Sequence, residues 1–164
     1  MAHENPLRTL SPPSERLDLS PLQDDIGFQI HLTRRAIWSA LRQSRRAPKT
    51  RSPSGYVACL LLIGVNPGIS PSQIADELIL DMPNLTLILR LMDKAGYLER
   101  QRSPTDRRRL QLSLTETGRA QFEVAREASI VQNASICRDL SADEALLLVD
   151  LLGKVRSTLL SAEL

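Results

Sequence analysis

The chain has 164 residues, enough for one domain with arms; 42% hydrophobic content allows a core, and 3% aromatics make that core aliphatic. A net charge of +2 is too mild to argue nucleic-acid binding from bulk electrostatics, so such a function must rest on where the arginines sit. Two distant cysteines, Cys59 and Cys137, speak against a disulfide framework, and without C-x-x-C or H-x-x-x-H spacing a metal site is not expected. The longest apolar run, residues 57–65, is too short to span a bilayer. The expectation is a reduced, cytoplasmic setting with no cofactor and no membrane partner.

In chain order, residues 1–19 carry Pro6, Pro12 and Pro13 among polar residues and read as a flexible tail. Ser20-Pro21 then predicts a helix start, and Leu22, Ile26, Ile30, Thr33, Ile37 and Leu41 recur at helical spacing. Phe28, Leu32, Ala36 and Trp38 add a second apolar patch, so this helix should pack against more than one layer. Between Arg34 and Arg51 there are seven basic residues and no acid. They read either as a solvated helix end and loop or as a surface for an anionic effector or DNA phosphates. Residues 20–51 are thus expected to form a helix and a basic loop.

Ser52-Pro53 predicts a short helix through Ile63 with Tyr56, Cys59, Leu60 and Ile63 facing inward, followed by an Asn66-Pro67-Gly68 turn. Ser70, Pro71 and Gln73 form a capping box that opens the next helix, with Ile74, Ala75 and Leu78 on one face. Asp81 caps another, in which Leu85, Ile88, Leu89 and Met92 make the inward stripe and Gly96 ends the run. A few residues separate the two helices, which is helix-turn-helix spacing. A helical wheel leaves Pro83, Thr86, Leu87, Arg90 and Lys94 outward, with Asn84 at the N-terminal end. Leu98, Gln101 and Arg102 read as one strand, and Leu110, Leu112 and Leu114 alternate along a second. Arg100, Arg102, Arg107, Arg108 and Arg109 cluster around the turn between them. Residues 52–115 therefore predict a winged helix.

Thr115 caps a further helix to about Arg138, and Ser141 with Glu144 forms a second capping box. The last helix is so rich in leucine that a small monomer would expose more apolar surface than it tolerates, so residues 116–164 are expected to bury it against a second copy. The fold class is mainly α with a small β hairpin: a winged helix-turn-helix plus a helical dimerisation region. No nucleophile–base pair, phosphate-binding glycine loop or ligand cluster points to an enzyme.

Three segments carry a resemblance: residues 95–100 (AGYLER), Asp106-Arg107-Arg108, and Leu114-Thr115-Glu116-Thr117-Gly118. Together, from about residue 22 to 160, the chain resembles the MarR family of bacterial transcriptional regulators. The resemblance implies a homodimer placing two recognition helices on a pseudo-palindromic duplex, with Arg108 in the minor groove and Asp106 holding it, or simply forming the turn. Arg107 and Arg109 would serve phosphates. It also implies regulation by a small-molecule effector bound between the dimerisation helices and the winged helix. Ile30, His31, Arg34, Arg35, Trp38 and Tyr56 are the candidate wall residues, suited to an aromatic carboxylate or CoA thioester. For His31 and Trp38 interface or core packing is an equal alternative. Met82, Leu87, Leu91 and Arg90 depart from the family's usual recognition-helix residues; Leu87 cannot donate to a base but could touch a thymine methyl. The reading is a ligand-responsive repressor. The alternative is a winged-helix protein working through protein–protein contacts.

Overall fold

The computed structural model describes residues 18–43, 53–102 and 110–161. They fall in two compact units, residues 1–49 and 50–164.

The first unit holds a 3-10 turn, Ser20–Leu22, and helix α1, Ile26–Gln43. The expected single helix from Ser20 is interrupted. The Asp25 carboxylate accepts the Phe28 N–H at 2.5 Å, which satisfies an otherwise orphaned donor and makes Ile26 a stable start. Leu22 accordingly lies outside α1.

In the second unit, α2 spans Tyr56–Val65, α3 Pro71–Leu78, α4 Met82–Lys94, β1 Leu98–Arg102, β2 Leu110–Leu114, α5 Glu116–Ile136 and α6 Ala142–Ser161. Helix α2 begins later than Ser52-Pro53 suggests, because Gly55 precedes it with φ +88°, a left-handed backbone that does not continue a helix. Ser52 itself lies outside the described residues. The Ser70–Gln73 capping box forms in both directions, and the Asp81 carboxylate accepts the Asn84 N–H at 2.7 Å. The Ser141–Glu144 box forms as well, with the Ser141 N–H on the Glu144 carboxylate at 2.8 Å.

The core gathers Cys59, Leu60 and Ile63 of α2, Ile74 and Ala75 of α3, Leu85, Ile88, Leu89 and Met92 of α4, Leu112 and Leu114 of β2, and Ala125 of α5, all 8% exposed or less. Burial pushes the Cys59 thiol up to about 11, leaving it packed and unreactive at neutral pH. Gly64 sits in the last turn of α2. A Cβ there would lie 2.2 Å from the Phe122 ring, so the missing side chain is what lets α2 and α5 cross closely.

Strands β1 and β2 pair antiparallel, Leu98 opposite Leu114 and Arg102 opposite Leu110. Ile69, ahead of α3, adds a bridge to Leu112, whose N–H donates to the Ile69 carbonyl at 2.9 Å. This third rung fastens the wing to the start of the helix-turn-helix. One residue of the second unit runs against its type. Ile79, at the end of α3, takes φ +51° and ψ +49°, a left-handed conformation that is an outlier for a β-branched residue. Among the described residues no helix is long and apolar enough to cross a membrane.

Candidate nucleic-acid interface

Helix α4 is two-sided. Its stripe of Leu85, Ile88, Leu89 and Met92 is buried, and about 180° away Pro83, Thr86, Leu87, Arg90 and Lys94 are all exposed. Asn84 is half-buried at the edge of that outward face. The sequence-predicted residues of the helix therefore share one outer surface. Arg90 and Lys94 make no ion pair with any described residue, so both charges are available to an anion. Asp106, Arg107 and Arg108 fall outside the described residues, as does Arg109.

Two features of this surface escaped the sequence reading. Arg100, expected among the wing arginines, is instead forked onto Asp93: its Nε donates to Asp93 Oδ1 at 3.1 Å and its Nη2 to Oδ2. The pair links the last turn of α4 to strand β1 and neutralises a carboxylate beside the outward face that would repel phosphate. It is half-exposed, so its value lies in geometry more than in stability. The residues are seven apart across the Gly96 turn, a spacing that no local periodicity rule flags.

The second is Thr115. Its hydroxyl donates to the Gly96 carbonyl at 2.7 Å and accepts the Gly118 N–H at 2.9 Å, and its own N–H donates to Tyr97 at 3.0 Å. A Cβ on Gly118 would lie 2.2 Å from the Tyr97 carbonyl oxygen, so only glycine fits there. The sequence reading saw the N-cap but not the bond back to the end of α4.

The candidate effector residues divide between the units. Ile30, His31, Arg34, Arg35 and Trp38 are all exposed and lie within an arc of about 140° on α1. Tyr56 opens α2, in the second unit, half-buried; burial and the nearby Tyr97 push its phenol up.

A core buried among α2, α3, α4, α5 and β2, an exposed and partly cationic α4 face and a hairpin wing form the arrangement by which winged helices present a helix to the major groove. The sequence profile of the MarR family matches residues 55–110. The chain is also 31% identical over 133 residues, 80% of its length and 78% of the relative's, to a candidate transcriptional regulatory protein for the hcr operon of Thauera aromatica.

The chain belongs to the MarR family.

MarR-family members are transcriptional regulators and not enzymes, and the winged helix-turn-helix described above is their DNA-binding fold. A solved structure of the transcriptional repressor CouR bound to a 23-mer DNA duplex is similar, with a TM-score of 0.74 and 26% identity, covering 86% of this chain and 99% of that one. The fold is also shared with the PcaV regulator of Streptomyces coelicolor in complex with its natural ligand, at a TM-score of 0.70 and 22% identity, covering 87% of this chain and 96% of that one. This MarR-family chain is thus a DNA-binding transcriptional regulator.

Proposed function

We propose that the protein is a cytoplasmic repressor that binds a pseudo-palindromic operator as a homodimer and is released by a small anionic effector. The observation that carries this reading is the exposed α4 face with Arg90 and Lys94 unpaired among the described residues, opposite a stripe already used by the core. Pro83, Asn84, Thr86, Leu87, Arg90 and Lys94 meet the major groove, and Asp106, Arg107 and Arg108 act at the wing, Arg108 in the minor groove. The similarity to CouR on its duplex supports the DNA side of the reading. For the effector, the support is the α1 face: aliphatic Ile30 and aromatic Trp38 beside Arg34 and Arg35 suit a flat apolar anion, an aromatic carboxylate or a CoA thioester. His31 and, from the second unit, Tyr56 belong to the same proposal. A homodimer is supported by α6, of which no residue is buried in the single chain.

A mobility-shift series over increasing salt, on the protein's own promoter fragment and on an unrelated duplex, tests the reading. Preferential retardation of the promoter is expected, weakened about tenfold or more by Arg108→Ala and reversed by an aromatic acid or CoA thioester from a small panel. Equal affinity for both duplexes would defeat operator recognition. It would favour the second reading, in which exposed Met82, Leu87 and Leu91 serve a protein partner.

A further inference from the structure

We infer that the recognition helix selects its half-site through thymine C5-methyl groups, with Leu87 as the specificity-determining residue. The inference rests on the operator reading above and deepens it.

The chemistry along the outward face of α4 is graded. Its first two turns offer Pro83, Thr86 and Leu87; its last two offer Arg90 and Lys94. Leu87 stands near the middle of the face with 45% of its surface exposed and no role in the core. Pro83 has no donor to give. Thr86 looks polar, but its hydroxyl proton is already committed: Oγ1 donates to the Met82 carbonyl at 2.7 Å. Met82, exposed by 52%, extends the apolar area towards the N-terminal end. Asn84, the one side-chain amide in these turns, is half-buried at the edge. Apart from half-buried Asn84 and the acceptor lone pairs left on Thr86 Oγ1, the exposed part of the helix's first half is therefore apolar in its accessible chemistry.

Recognition helices of helix-turn-helix proteins put their N-terminal residues against base edges. In the major groove, thymine alone among the four bases presents a methyl group; the other edges there are donors and acceptors. A leucine against those edges would strand them without partners, a cost that a thymine methyl avoids. Arg90 and Lys94, one and two turns further on, then bear on the groove's phosphates and give affinity without sequence.

The test begins with selection of duplexes from a random-sequence library by the full-length protein. Each thymine of an enriched duplex is then replaced singly by deoxyuridine, which removes only the methyl. At one thymine in a half-site the wild type should lose about fourfold in affinity, the worth of one buried carbon group. Leu87→Ala should bind the thymine and uracil duplexes equally. Enrichment in which no thymine responds, or a uracil penalty undiminished in Leu87→Ala, would overturn the methyl assignment and leave operator binding standing. No enrichment at all would remove operator recognition and this assignment together, and give the apolar face to a protein partner.

Discussion

Helices α4 and α6 are both rich in leucine, and they part company in what covers them. The α4 stripe is closed over within the chain by α2, α3 and the wing, and none of its four residues is more than 5% exposed. On α6, Leu148, Leu151, Leu152 and Leu159 share one face with half-buried Val155, yet the leucines of that helix keep between 42% and 70% of their surface. Similar composition thus serves two purposes. One apolar helix completes a core; the other leaves apolar surface larger than an isolated small domain sustains, and the symmetric copy is the occupant proposed for it.

The sharpest way to break that comparison is to delete side chains from each. Ile88→Ala should destabilise the chain by about 2–5 kcal/mol, because α4 has no slack to collapse into the cavity. Leu152→Ala should cost the protomer itself much less, and a comparable loss in chemical denaturation at low protein concentration would show that α6 is covered from within. Next in size, Leu148→Glu combined with Leu152→Glu should convert a dimer at micromolar concentration into a monomer in sedimentation while far-UV circular dichroism is retained. A variant that stays dimeric would locate the interface elsewhere. The smallest effect concerns the turn between α3 and α4. Ile79→Asn should raise stability by on the order of 0.5 kcal/mol, since asparagine tolerates a left-handed backbone that isoleucine resists. A fall in Tm would mean that the exposed isoleucine has a partner.

The sequence reveals unequal amounts of these regions because their causes differ in range. The ends of α3, α4 and α6 were legible from Ser70, Asp81 and Ser141, since a cap is settled within three residues of itself. The buried and outward faces of α4 followed from spacing alone. By contrast, nothing in the sequence marks Ile79 as left-handed, for the usual signal would be glycine or asparagine and the conformation is imposed by its surroundings. The restart at Ile26 was hidden because Leu22 happened to continue the helical spacing while Asp25 supplied a nearer cap. The fork between Arg100 and Asp93 was hidden for the opposite reason: both partners read naturally as solvated charges until β1 folds back beside α4. Of the candidate DNA contacts, those on α4 needed only periodicity to find. Tyr56 and the α1 residues were grouped by resemblance, and that grouping remains a proposal.

Thr115 has a mechanical corollary. A helix-to-helix connection usually works as a loose joint that lets each partner swivel alone. Here one side chain and one peptide group are shared between the end of α4 and the start of α5, and Gly118 is pressed against Tyr97 with no gap to take up. If α4 meets an operator as proposed, a twist of the first turn of α5 would be passed to it through these contacts, and how the long helix is held would bear on the fit.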